Sequence, residues 1–239
     1  MNMLRGFMDN DSAFGQLMLR AWAFIICNLC FLVTALPVVT AGAGWAAMDY
    51  ALMNTMKNRE TAAPFRDFWH GFRVNFRQAT VSWLAGLLFL GFLGLEWYWC
   101  RQFGGVFRAF QIGILVIGVV VLIVLIYLFP TMAAFEAALP QLVKNSVYFA
   151  FTRPHYLFVI LFVHIVPMAM TYLFLQLLPL FAFLWSFFGF AAVSGVTVSL
   201  LLREFRPYLK KDPAAEEQEE EEPPKSEAEI LQEMEKLGM

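Results

Sequence analysis

Charged residues are scarce in this sequence. Of its 239 residues only 15% are Asp, Glu, Lys or Arg, whereas 60% are hydrophobic. A water-soluble domain of this length needs more polar side chains to cover its core. The composition therefore excludes an ordinary soluble domain and predicts a protein that lies in a lipid bilayer.

Cysteine and the common catalytic motifs are also scarce or missing. The three cysteines, Cys27, Cys30 and Cys100, give no disulfide framework. The sequence contains no G-x-x-x-x-G-K-[ST] loop, no H-E-x-x-H motif and no G-x-S-x-G elbow. Its three histidines are not at metal-ligand spacing. We therefore predict no enzymatic activity, no cofactor, no metal and no nucleic-acid partner.

Long runs without charge predict the membrane spans. Residues 156–202 contain no Asp, Glu, Lys or Arg. As one helix they would be about 70 Å long, more than twice the bilayer core of about 30 Å, so we expect a turn at Pro179. The sequence thus predicts an all-α, polytopic transmembrane helix bundle. Its five firm spans are 18–37, 79–98, 109–129, 156–178 and 180–202.

The stretch 42–57 is a candidate for a short sixth span. Without it, the Lys and Arg residues up to Lys211 divide 4 against 11 between the two sides of the membrane, and with it they divide 2 against 13. The positive-inside rule favours the second division, with both termini in the cytoplasm. Gly42 and Gly44 are expected to let the turn between the first span and this stretch pack closely against neighbouring helices.

Residues 64–77 predict a basic, aromatic amphipathic helix at the cytoplasmic interface. It would lie on lipid or bind a partner protein. A second amphipathic connector is predicted at 131–153. The candidate interface residues are Arg66, Arg73, Arg77, Phe68, Trp69 and Phe72.

Asp49 and His164 are the candidate polar residues deep in the membrane. An ionisable residue in a membrane span is a functional candidate by default. If they face one another, the pair could relay a proton or bind a polar solute. The alternative is a structural role, with the histidine bonded to a backbone carbonyl. Asn28 and Gln111 are expected to form hydrogen bonds between helices.

Beyond residues 1–208, the predicted membrane domain, the composition becomes acidic. Residues 209–225 predict a disordered linker. In 226–239, Ser226 and Glu229 form a capping-box pair ahead of an apolar face, which indicates a short docking helix. The alternative is a fraying tail, since an isolated helix of this length is marginal in water.

Three phrases carry a family resemblance: "NLCFLVTALPVVTAGAGWAAMDYALM", "FRDFWHGFRVNFRQAT" and "LFPTMAAFE". They resemble the YesL-like family, domain of unknown function 624. The resemblance covers about residues 5–208 and implies a bacterial cell-membrane protein without established activity. It also implies a gene neighbourhood of ABC-type sugar transporter subunits, which would then be the partners. Asp49 is not part of the family pattern.

Three functions compete at this point. The first is an accessory or regulatory membrane component associated with carbohydrate uptake. The second is a small-solute secondary transporter that uses Asp49 and His164, although no internal repeat supports it. A membrane enzyme ranks last. Glycine-containing faces such as "AGLLFLGFLG" could also pack between two copies in a homo-oligomer.

Overall fold

A computed structural model of the protein describes residues 13–57, 63–103 and 105–208. The chain divides into two units, Met1–Phe205 and Arg206–Met239, and the helices described below belong to the first. The predicted linker at 209–225 and the predicted C-terminal helix at 226–239 lie outside the described residues.

The described residues form helices and contain no strand, which confirms the predicted all-α bundle. In chain order the helices are α1 Ala13–Ala35, α2 Ala41–Lys57, α3 Pro64–Phe103, α4 Phe107–Ala134, α5 Leu139–Thr152, α6 Pro154–Leu173 and α7 Leu175–Phe205.

Four of these helices, α3, α4, α6 and α7, are long and apolar enough to cross a membrane. A fifth, α1, has a shorter apolar part, Arg20–Ala35. The protein is therefore a multi-pass membrane protein, and lipid is the environment that its apolar helices require. The sixth span at 42–57 stays a prediction, because α2 has only 17 residues.

The break between α6 and α7 does not lie at Pro179. The helix ends at Leu173, and the next helix begins at Leu175, so Phe174 forms the turn. Pro179 instead occupies the first α-helical turn after a 3₁₀ turn, where its missing N–H leaves no hydrogen bond unmade. The predicted boundaries of 156–178 and 180–202 are corrected accordingly.

The prediction of a separate interfacial helix at 64–77 is wrong. Pro64–Phe103 is one helix of 40 residues, about 60 Å long at about 1.5 Å per residue. No proline interrupts it after the first residue, so the basic segment and the predicted span 79–98 share one axis. The basic segment is thus an extension of a spanning helix.

The first two helices form an antiparallel pair. Gly44 of α2 lies against Thr34 of α1, and Phe31 contacts Trp45 edge-on with ring centroids 6.0 Å apart. This pairing brings Arg20 and Lys57 to the same end of the bundle, as the six-span interpretation requires. We refer to that end as the basic end.

Helix α2 packs along the first half of α3 in the opposite direction. A methyl group at Gly42 would lie 2.9 Å from the Ala79 carbonyl oxygen. One at Gly71 would lie 2.8 Å from the Tyr50 Cβ. The predicted close packing at Gly42 is confirmed, and α2 lies beside the basic half of α3.

A side chain of α3 stabilises the turn between α1 and α2. Val38 has a φ of 57°, a conformation that is rare for a β-branched residue. The Trp83 indole N–H donates to the Val38 carbonyl oxygen at 2.8 Å. This hydrogen bond from a neighbouring helix stabilises the strained turn.

Burial is concentrated in one part of the bundle. Most of the buried core residues come from α1, α2, the first half of α3, the last turns of α4, α5 and the end of α7, and α6 adds Ile160. By contrast, residues 87–122, the α3–α4 hairpin, have only Leu93 and Cys100 buried among the positions described there. That hairpin presents its apolar side chains outward, as expected for contact with lipid.

Candidate functional site

Asp49 lies in the middle of the packed helices. Its side chain has no exposed surface. Its Oδ1 accepts a hydrogen bond from the Ser194 hydroxyl of α7, while its Oδ2 is buried without a hydrogen-bond partner among the described residues. A buried carboxyl oxygen without a partner is costly, so this group can hold a proton or receive a polar ligand.

His164 has partners other than Asp49. Its Nδ1 lies 2.8 Å from the Ile160 carbonyl oxygen. Because a carbonyl can only accept, Nδ1 carries the proton, and Nε2 is free to accept in the neutral ring. The ring is stacked on Trp45, with centroids 6.1 Å apart and an interplanar angle of 5°.

Asp49 and His164 therefore share a neighbourhood but are not hydrogen-bonded to each other. Trp45, on which the imidazole stacks, precedes Asp49 by about one helical turn on α2. The histidine adopts the backbone-bonded arrangement that the sequence left open as the alternative. A proton relay between the two groups would need a third group or a water molecule.

Asn28 ties α1 to an irregular part of α7. Residues Trp185–Gly189 form a π-helical segment, which displaces the regular backbone hydrogen bonds. The Asn28 amide donates to the carbonyl oxygens of Trp185 at 3.0 Å and Ser186 at 2.7 Å, and it accepts from the Ala191 N–H at 2.9 Å. The predicted interhelical role of Asn28 is confirmed.

The predicted interface residues separate into two groups. Arg66, Arg73 and Arg77 are exposed on the first half of α3. Phe68 is completely buried in the core. Trp69 and Phe72 are half-buried and pack against the same core. The expectation that Phe68 contacts lipid or a partner is corrected, because residues of α1 and α2 cover it. For Trp69 and Phe72, which keep part of their surface exposed, it stays a prediction.

Asp67 joins the basic ends of α2 and α3. Its Oδ2 accepts from the Asn54 amide at 2.6 Å and from the Ala63 N–H at 3.2 Å. The second bond satisfies a donor at the start of α3, where a carboxylate also interacts favourably with the helix dipole. The basic half of α3 is thereby anchored and presents its arginines from a fixed scaffold.

Sequence reasoning missed one buried polar pair at the basic end. Glu204 of α7 is only 3% exposed, and neither of its carboxyl oxygens has a hydrogen-bond partner among the described residues. The hydroxyl of Tyr127 in α4 is likewise buried without one, within electrostatic range of Glu204. Glu204 follows Arg203 just beyond the predicted span 180–202, and the sequence pattern there contains no signal for its burial.

The model of a family described as "Protein of unknown function, DUF624" matches residues 24–97. This match confirms the DUF624 resemblance. The matched region contains Asn28, Asp49 and the three arginines of the first half of α3, but the DUF624 description carries no activity. No curated protein and no solved structure matched the chain.

Proposed function

We propose that this protein is a non-enzymatic accessory or regulatory component of the bacterial cell membrane, associated with carbohydrate uptake. In this proposal the basic end, with both termini, lies in the cytoplasm, as the positive-inside rule favours. The association with carbohydrate uptake comes from the resemblance to the YesL-like family.

The observation that carries the proposal is the exposed arginine face of α3. Arg66, Arg73 and Arg77 are exposed, while the opposite face of the same helix is buried in the core. A rigid helix that presents guanidinium groups is suited to acidic protein surfaces, since Arg binds carboxylates in a bidentate manner. Phe65 and Phe76, which are 58% and 41% exposed, add apolar contact area beside the arginines.

The partner that fits this face is an acidic cytoplasmic surface of a membrane transport subunit, and ABC-type sugar transporter subunits are the proposed class. Complementary charge accelerates such an association and selects the partner more than it raises affinity. Because salt screens exposed charges, the association of the arginine face with its partner should weaken as ionic strength rises.

A crosslinking pull-down from native membranes tests the proposal. The full chain and a variant with Arg66→Glu, Arg73→Glu and Arg77→Glu would be compared. A variant with Arg101→Glu and Arg108→Glu serves as the control, because these exposed arginines lie at the opposite end of α3 and α4. We expect transporter subunits with the full chain and the control, and a loss of at least tenfold with the triple variant. Recovery of lipid alone in all three samples would contradict the proposal.

The orientation has its own test. The native cysteines Cys27, Cys30 and Cys100 are buried, so single cysteines at positions 66 and 73 give specific signals. A membrane-impermeant thiol reagent should label these positions only after the cells are opened. Labelling in intact cells would overturn the proposed orientation.

Transport of a small solute is the second candidate, and the orphaned Oδ2 of Asp49 favours it. A buried carboxyl oxygen without a partner is suited to a coupled proton or a polar substrate. In proteoliposomes, uptake that disappears in Asp49→Asn but persists in Ser199→Ala, which removes only an exposed local hydrogen bond on α7, would raise this candidate above the first.

Homo-oligomerisation through the α3–α4 hairpin stays a prediction. A methyl group at Gly91, Gly94 or Gly113 would meet no neighbouring atom within 4 Å. The outward glycines leave room for a second copy to approach closely. Crosslinking between cysteines placed at position 94 of two copies would detect such a dimer.

A further inference from the structure

We propose that a polar cleft at the basic end binds a small, neutral, polyhydroxylated molecule of about monosaccharide size. The cleft lies between α2, the first half of α3 and the segment that connects α4 to α5, and its volume is about 290 Å³. This volume is near the lower limit of about 300 Å³ for small-molecule sites. The inference rests on the proposed function, since it names the ligand class through which the protein would respond to carbohydrate.

Two separate sequence phrases meet in this cleft. The phrase "FRDFWHGFRVNFRQAT" on α3 contributes three polar side chains. The end of the phrase "LFPTMAAFE", which closes α4 and begins the connecting segment, contributes Glu136. The Gln78 amide donates to the Ala137 carbonyl oxygen at 3.3 Å and so joins α3 to the connecting segment. The polar side chains that line the cleft are Tyr50, His70, Asn75, Gln78 and Glu136.

The cleft offers both hydrogen-bond acceptors and donors. The Asn75 amide donates one N–H to the Gly71 carbonyl oxygen at 3.2 Å, which leaves its second N–H and its Oδ1. The Gln78 amide donates one N–H to the Ala137 carbonyl oxygen, which leaves its second N–H and its Oε1. Glu136 adds an exposed carboxylate that accepts. Because hydroxyl groups both donate and accept, this mixture of groups fits a polyhydroxylated ligand.

One wall of the cleft is made of rings. Tyr50 and His70 contact each other with ring centroids 5.5 Å apart and an interplanar angle of 48°. Val74 continues this wall by one helical turn beyond His70. Rings beside these polar groups offer an apolar surface to the C–H face of a sugar, and the polar groups offer hydrogen bonds to its hydroxyl groups.

The surrounding charges argue for a neutral ligand. The Glu136 carboxylate disfavours an anion in the cleft. Arg73 and Arg77 do not line the cleft but are exposed on the same stretch of α3, and their positive potential offsets the attraction of Glu136 for a cation. A neutral polyol avoids the repulsion that an anion meets, and it satisfies the polar groups that a purely apolar ligand would leave unpaired.

Saturation-transfer NMR on the full-length protein in lipid nanodiscs tests the inference. The probes are glucose, galactose, xylose and myo-inositol, with glucose 6-phosphate and spermidine as the charged arms. We expect a saturable signal for at least one neutral probe and none for the charged ones. The inference is overturned if no neutral probe binds, or if a charged probe displaces the neutral one at equal concentration.

A matched pair of variants locates the site. Glu136→Gln changes an exposed side chain of the cleft, and Glu96→Gln changes an exposed glutamate of the α3–α4 hairpin. We expect the affinity for the bound probe to fall at least tenfold in Glu136→Gln, because a hydrogen bond to a charged acceptor is lost. It should not change in Glu96→Gln. Equal affinity in Glu136→Gln and the unmodified protein would overturn the assignment.

The outcomes separate this inference from the proposed function. Capture of transporter subunits without binding of any neutral probe would overturn the cleft assignment alone. Binding of a neutral probe that Glu136→Gln weakens, without capture of any subunit, would support the cleft and contradict the partner.

Discussion

The packed half of the molecule and the α3–α4 hairpin are both strongly apolar, but they use their apolar side chains differently. In the packed half, small residues such as Ala43, Ala46 and Ala47 are completely buried and let helices approach closely. In the hairpin, Leu88 and Phe92 are 76% and 56% exposed. The difference teaches that hydrophobicity in this chain predicts removal from water but not contact with protein.

The two regions also treat polar side chains differently. In the packed half, Asn28 and Asp67 make several hydrogen bonds between elements. In the hairpin, Gln111 makes a single hydrogen bond of 3.5 Å to the Trp97 carbonyl oxygen. Polar contacts therefore specify how the packed helices fit together. The hairpin, by contrast, depends mainly on contact between its apolar side chains and lipid.

A charge in the hairpin should have the largest effect. Leu88→Lys places a cation near the centre of the predicted span 79–98, at a cost of about 3 kcal/mol for membrane insertion. Val74→Lys, at a position 56% exposed on the basic half of the same helix, is the control and should insert normally. Membrane-integrated protein would be quantified for both variants. Equal insertion would break the comparison, because it would mean that the hairpin does not contact lipid.

Loss of the Asn28 amide should have the next largest effect. Asn28→Leu removes three hydrogen bonds between α1 and α7, and we expect a loss of about 2–3 kcal/mol of stability. Gln111→Leu removes one long side-chain hydrogen bond in the hairpin and should cost less than about 1 kcal/mol. Unfolding in detergent, followed by size-exclusion chromatography at rising temperature, compares them. A similar loss in both variants would remove the distinction between the regions.

Glycine substitution should sharpen the packing difference. A methyl group at Gly42 would lie too close to the Ala79 carbonyl oxygen and the Trp83 side chain, so Gly42→Ala should cost about 2 kcal/mol. Gly91→Ala in the hairpin meets no neighbouring atom and should be neutral or slightly stabilising. Thermal unfolding of the two variants measures the difference. If Gly42→Ala is as stable as the unmodified protein, the close contact of α2 with α3 is contradicted.

The smallest effect is expected at the partner of Asp49. Ser194→Ala removes the hydroxyl that donates to the buried carboxyl group, and it should cost about 1 kcal/mol. Ser199→Ala removes only a local, exposed hydrogen bond to the Val196 carbonyl oxygen, and we expect no measurable change. The same unfolding measurement applies. Indistinguishable stabilities would indicate that the Asp49–Ser194 bond contributes little to the packing of α2 on α7.

The sequence pattern of α3 predicted which arginines are exposed, but it did not predict which aromatic side chains are buried or where the cleft lies. The exposure of Arg66 agrees with its place in an amphipathic pattern. The burial of Phe68 could not be read from that pattern, because an aromatic face looks the same whether lipid, a partner or the chain's own helices cover it. The cleft at Glu136 could not be predicted for another reason. Its α3 wall and its Glu136 wall come from segments about sixty residues apart in the sequence.

The sequence by itself determined that this chain is a helical membrane protein, since few charges and long apolar runs leave hydrogen-bonded helices in lipid as the stable arrangement. It also determined the arginine face of α3 and the interhelical role of Asn28. Only the tertiary structure decided that α3 is continuous, that α2 lies beside its basic half, and that Glu204 is buried. The physical reason is that lipid tails are as apolar as a protein core, so helix register depends on close packing and a few polar contacts.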